Sequence, residues 1–284
     1  MKGMKYLTAL FFLSVFFSGW SKTFTIETGQ FEKLKINGNV SVIYKNLPDS
    51  TGFARYSDPE GNDALFSFNM KSDGSLKVEP SDDKWGRKDL PVLFLYSDFL
   101  SSVESYSNQS IIIESLAPCA SFNVNEIGNG SITVNNVKCN NVTAAITTGN
   151  GSIFISGKCL NANFRMVGAG LISADRLSAE NIKCRILGTG SIGCWPVDNL
   201  SVTGLGTTKI YYKGKPNIKK SGGGKLFELP DNFEEENDLP GRVEIPSFSP
   251  SASNHDLDED DSEEDEEEDE DDDENYQTVV TSDD

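Results

Sequence analysis

Four carboxylates stand in the repetitive middle of this chain: Glu126, Asp175, Glu180 and Asp198. Acid–base chemistry on a sugar polymer needs two such groups on one face, or one carboxylate with a base and a bound calcium ion. Measured from its own Gly-x-Gly motif, each of the four falls at a different offset, so they form no ladder. The single histidine, His255, lies far downstream in an acidic run, which leaves neither a Ser-His-Asp set nor a histidine acid or base. Five cysteines remain. Cys119, Cys139 and Cys159 are spaced 20 and 20 residues apart, and Cys184 and Cys194 follow. As metal ligands they fall short, because a zinc site wants four convergent Cys or His. As small apolar side chains they stack into a column, with room for one disulfide between neighbours. An odd count forbids complete pairing within the chain, and spacing alone does not choose the partners. The sequence therefore names no catalytic, cofactor-binding or metal-ligating residue.

The elements that carry these side chains are set by glycine. Gly-x-Gly begins at Gly128, Gly149, Gly168, Gly188 and Gly204, and Gly222-Gly223-Gly224 closes the series, at spacings of 21, 19, 20, 16 and 18 residues. Ser107-Asn108-Gln109-Ser110-Ile111 is an upstream copy without glycines. Between the motifs apolar and polar residues alternate, as in Ile182-Lys183-Cys184-Arg185-Ile186, which is strand periodicity. A repeat near 20 residues made of short strands and glycine corners reads as a β-solenoid of about six rungs. The glycines are expected to supply positive φ at tight corners. No helix-period segment follows any copy, so the motifs are not phosphate-binding loops.

Upstream, Phe31 to Tyr44 gives strands around Gly38, Leu65 to Val78 a hairpin over Asp73-Gly74, and Pro91 to Tyr96 a further strand, together an amino-terminal β-rich cap. Residues 1–21 carry Lys2 and Lys5 before an apolar run from Leu7 to Phe17, the layout of a cleaved signal peptide. That run is too short to span a bilayer as a helix, so no stable membrane insertion is expected after cleavage. The formal charge is −19, but 17 of the 19 residues from Asp256 to Glu274 are acidic and the remainder carries −2. With no basic stretch outside it, the chain offers no footprint for nucleic acid. Residues 230–284, rich in Pro, Glu, Ser and Asp, are expected to be a disordered linker and acidic tail. The domain organisation is then 1–21, 22–229 and 230–284.

The ordered motifs resemble a known family. Ile36-Asn37-Gly38-Asn39-Val40-Ser41-Val42, Leu76-Lys77-Val78, Leu90-Pro91-Val92 leading to Leu100-Ser101-Ser102-Val103, the glycine series, and Ile210-Tyr211-Tyr212-Lys213-Gly214-Lys215-Pro216 are similar to the head GIN domain of autotransporter adhesins. The resemblance covers about Phe31 to Leu229 and implies a β-helix-like fold on a secreted or cell-surface protein. It brings no catalytic or ligand residue with it, and the acidic tail lies outside the family pattern.

Exposed polar positions are expected at Thr133, Asn135, Asn136, Asn140, Asn141, Thr143, Thr147 and Thr148, with Trp195, Tyr211 and Tyr212 as aromatic contacts. Asn39, Asn108, Asn129, Asn141, Asn150 and Asn199 each open an Asn-x-Ser/Thr sequon, which has meaning only in a eukaryotic host. The function expected is that of a secreted, non-catalytic surface protein, an adhesin recognising a glycan or protein surface. A carbohydrate-active β-helix enzyme and a structural envelope protein without a specific ligand are the alternatives. An open last rung near Gly222 to Leu229 offers an edge for a homodimer.

Overall fold

Short alternating segments cannot bury an apolar face alone, so they pair edge to edge. In the computed structural model, which describes residues 22–47, 51–62 and 64–230, they do so as a parallel β-solenoid of about six turns. The signal-like segment, the acidic segment and His255 lie outside the described residues. The amino-terminal strands are β1 (Lys22–Glu27), β2 (Lys33–Asn37), β3 (Val42–Lys45), β4 (Phe53–Asp58), β5 (Phe66–Met70), β6 (Ser75–Pro80), β7 (Leu93–Tyr96), β8 (Ser102–Tyr106) and β9 (Ser110–Ile113). The repeats form β10 (Cys119–Glu126), β11 (Ser131–Ile146), β12 (Ser152–Met166), β13 (Leu171–Ile186), β14 (Ser191–Gly204), β15 (Lys209–Tyr212), β16 (Asn217–Gly222) and β17 (Lys225–Glu228). A short 3-10 turn at Asp82–Lys84 is the one helical element among the described residues.

Strand β11 shows how one segment makes three sides. Ile132 and Val134, then Val137 and Cys139, then Val142, Ala144 and Ile146 are buried. The two-residue alternation slips at Asn135-Asn136 and again at Asn140-Asn141, where the strand bends. Asn136 has φ 55°, a left-handed conformation that asparagine tolerates better than most residues. The segments before, between and after the bends are termed sides B, C and A, and the glycine corners join side A to the next side B.

Register is kept from rung to rung. On side B, Ile111, Ile132, Ile153, Ile172, Ile192 and Ile210 stand one above another, all fully buried. Burying each is worth roughly 1.5–3 kcal/mol, so the column is the main apolar spine of that side. The amino-terminal strands extend the same stack. On side A the order runs β6, β2, β8, β10, and on side B it runs β7, β3, β9, β11. Part of the region expected to be the amino-terminal β-rich cap thus continues the column, with β2 inserted between two strands that follow it in sequence. Antiparallel strands then cover the far end, β5 on β6 as the expected hairpin and β4 with β1 on β7.

The corner glycines have a second cause beside the one expected. Gly149, Gly190, Gly204, Gly206, Gly222 and Gly224 do have positive φ, between 80° and 137°, but Gly128, Gly130, Gly151, Gly168, Gly170, Gly188 and Gly223 lie outside that region. Nearly all of them lie against the preceding rung. A Cβ on Gly170 would sit 2.0 Å from the carbonyl oxygen of Gly151, and one on Gly149 would sit 2.2 Å from that of Gly128. Carbonyls at these corners accept hydrogen bonds from the next corner, Ala169 N to Gly149 O at 3.0 Å and Leu171 N to Gly151 O at 3.1 Å. The stack is closed tightly enough at its corners that no side chain fits between rungs. The Ser107 corner manages without glycine at the start of the series, and its Oγ donates to Val40 O at 3.2 Å.

Gly170→Ala should therefore lower stability by about 1–3 kcal/mol through overpacking, although its φ is accessible to alanine. Gly193→Ala, whose Cβ would meet the Asp175 side chain at ordinary contact distances of 3.4 Å and more, should cost under about 1 kcal/mol. Denaturant unfolding of the two variants checks the contrast.

Candidate binding faces

The stacked rungs convert residues about 20 apart in sequence into columns. At the bend from side C to side A, Ser121, Asn141, Asn161, Asn181, Asn199 and Asn217 are in register. Their amides form a ladder: Asn161 donates to Asn141 Oδ1 at 3.1 Å, Asn181 to Asn161 at 3.2 Å and Asn199 to Asn181 at 2.8 Å. Sequence reading found Asn141 and Asn199 but missed Asn161, Asn181 and Asn217. The spacing of 20, 20, 18 and 18 residues was the signal that would have joined them. A second series runs through the glycine corners, where Asn150 N donates to Asn129 Oδ1 at 3.0 Å and Asn129 N to Asn108 Oδ1 at 3.4 Å. All of the sequon asparagines but Asn39 are thus parts of the corner architecture.

The other polar positions do not share one surface. Thr133 lies on side B, Asn135 and Asn136 at the B-to-C bend, Asn140 and Asn141 at the C-to-A bend, Thr143 on side A, and Thr147 with Thr148 at the glycine corner. Trp195 is exposed on side C, in register with Ser178. Tyr211 faces out from side B and stacks on Phe227 at 5.2 Å, whereas Tyr212 packs against the end of the core. Side C also carries an open groove of about 510 Å³ whose walls include Lys138, Lys158, Leu160, Glu180 and Val197.

The acids do not converge as a set. Glu180 and Asp198 immediately precede the in-register residues Asn181 and Asn199, so they occupy matching corner positions. This corrects the reading from offsets, because β14 is shorter and its register slips against β13. Asp175 is buried, accepts a hydrogen bond from Ser173 Oγ at 2.8 Å, and stands 3.6 Å from Lys213 Nζ. Glu126 points inward in the column of Ile146, Met166 and Ile186. Its Oε1 accepts from Gly128 N at 2.9 Å, and Oε2 has no hydrogen-bond partner among the described residues. Burial pushes its carboxyl above the ordinary value of 4.5. Among the described residues no group of three or more His, Cys, Asp or Glu is placed to hold a metal ion.

Cys119 and Cys139 form a disulfide with Cα atoms 4.7 Å apart. Cys159 follows in the same column as a buried thiol, pushed up to about 11 by burial. Inside the column a hydrogen bond with Cys184, together with burial, holds the Cys194 thiol well above its ordinary range. Such thiols pack as small apolar groups.

The family described as "Putative auto-transporter adhesin, head GIN domain" matches residues 30–216. The chain belongs to this family. No curated protein matches it. Among solved structures it is similar to a "putative adhesin" from Bacteroides fragilis NCTC 9343, with TM-score 0.65 and 18% identity. It is also similar to a "putative lipid binding protein" from Parabacteroides distasonis ATCC 8503, with TM-score 0.58 and 21% identity. A third is a "putative adhesin" from Parabacteroides merdae ATCC 43184, with TM-score 0.57 and 21% identity. Each match covers 75% of this chain and 98% of the other. At these identities the likeness concerns the fold, the stacked-strand architecture described above.

Glu126 gives a pH-dependent test of the corner. Below its ordinary value both the folded and unfolded chains hold the proton, so folding feels no penalty. As pH rises toward the raised folded value, the unfolded chain loses its proton first and stability falls, by about 1.4 kcal/mol for each pKa unit of displacement. Glu126→Gln should remove this loss, so its melting temperature should gain on the parent as pH rises above the ordinary carboxyl value of 4.5.

Proposed function

We propose that this head GIN protein is exported and acts at the cell surface or outside the cell as a non-catalytic recognition protein for glycan or protein surfaces. The observation that carries the reading is the register of its outer columns. Side-chain amides and hydroxyls repeat at one strand spacing, ~4.8 Å, along a column whose interior is filled by stacked side chains. Ligands therefore meet the protein on flat outer faces, where an extended partner can make many similar contacts. Family membership supports an adhesive role. The Cys119–Cys139 disulfide supports an oxidising compartment, in line with the signal-like residues 1–21 and a mature domain over 22–229.

Catalysis is disfavoured by the placement of the acids, since Glu126 and Asp175 are buried and Glu180 and Asp198 stand at another bend. Self-association through the last rung is opposed by Lys219, Lys220 and Lys225, which would bring like charges together at the edges of β16 and β17.

The full mature chain on a polysaccharide and glycan array, with retained protein and released sugar read together, tests the proposal. Retention without release is the expected result. Released sugar would overturn the non-catalytic reading, and no retention on any glycan would restrict recognition to protein surfaces.

A further inference from the structure

The absence of a basic run in the sequence conceals a basic face in the fold. Residues 131–229 contain twelve Lys and Arg against four Asp and Glu, a net charge of +8. Residues 22–130 contain ten against fifteen, a net charge of −5. The cations of the repeat half are scattered along the sequence but stacked in space. On side A, the outward column through Ala145 places Arg165 directly beside Arg185. The adjacent column runs Asn163, Lys183, Ser201, Lys219. Arg165, Lys183, Arg185 and Lys219 are all exposed, and none has an ion-pair partner among the described residues.

No acid interrupts these two columns from β11 to β16. Of the four acids in this half, Asp175 is buried beside Lys213, Glu180 and Asp198 stand at the C-to-A bend, and Glu228 lies on β17. The next outward-facing acid on side A, Glu104 on β8, is already held by Lys35 Nζ at 2.7 Å. Between the cations the same columns present amide and hydroxyl groups, including Asn163, Ser201 and Thr203, and no aromatic ring.

We propose that side A, from Arg165 to Lys219, is a docking face for an acidic polysaccharide. This deepens the recognition function above and rests on it. Guanidinium groups match carboxylates with paired hydrogen bonds, so Arg165 and Arg185 grip uronate groups while the neighbouring Asn, Ser and Thr meet sugar hydroxyls. The missing aromatic platforms disfavour single-stranded nucleic acid, whose bases need rings to stack on. Each exposed charge contact is weak in water, and a polymer crossing several strands compensates by repetition. Charges farther than a Debye length of about 10 Å are screened at 0.1 M salt, so the sign of this face outweighs the chain's overall negative charge.

The test is binding of the full mature chain to immobilised calcium-free polygalacturonate, with dextran as the neutral polymer and oligothymidylate as the phosphate polymer. Polygalacturonate should hold the parent in about 0.1 M salt and release it near 1 M, where screening is complete within about 3 Å. Arg165→Gln with Arg185→Gln, and separately Lys183→Gln with Lys219→Gln, should each weaken binding at least about tenfold at unchanged melting temperature. Lys138→Gln with Lys158→Gln, on side C, should leave it unchanged. Undiminished binding by both side-A pairs would overturn this face while leaving glycan recognition standing. Equal binding of oligothymidylate would overturn the polysaccharide assignment, and no retention on any glycan would remove the glycan reading altogether.

Discussion

Everything in this protein depends on how closely one glycine corner sits on the next. A corner carbonyl occupies the place where the following glycine would carry its Cβ, as Gly151 O does beneath Gly170 at 2.0 Å. That contact lets backbone hydrogen bonds continue around the bend, from Leu171 N to Gly151 O for example, and so fixes rung-to-rung register. Fixed register stacks the six isoleucines of side B into one column. It likewise sets Cys119 beside Cys139 and each ladder asparagine beside the last.

The same constraint produces the surface. Once register is locked, any residue type repeated at the rung length becomes a stripe, whatever its local neighbours. Asn161 and Asn181 share no sequence motif, yet their amides are hydrogen-bonded at 3.2 Å. Arg165 and Arg185 become neighbours through 20 intervening positions, and a chain with no basic run acquires a basic face. A rigid, flat and repetitive surface favours extended partners over small ligands, which is the physical basis for reading this fold as a recognition module.

Much of this was legible in the sequence because glycine spacing reports rung length directly. The solenoid, its period, the hairpin over Asp73-Gly74 and the stacking of the first three cysteines follow from residue type and spacing alone. Three things did not. The position of β2 between β6 and β8 is a long-range pairing that alternation cannot reveal, since a strand pattern carries no label for its neighbour. Equivalence of Glu180 and Asp198 was hidden by the shortened repeat from Gly188 to Gly204, which changes offsets without moving the bend. Close approach between rungs, the second role of the glycines, went unseen because it and positive φ both demand the absence of Cβ, and sequence cannot tell them apart.

Disulfide mapping of the exported protein, by non-reducing digestion and mass spectrometry, tests the register most directly. The stack predicts a linkage between Cys119 and Cys139, one rung apart, with Cys159, Cys184 and Cys194 recovered as thiols. Cys119 joined to Cys159, Cys184 or Cys194, or recovered free, would contradict it.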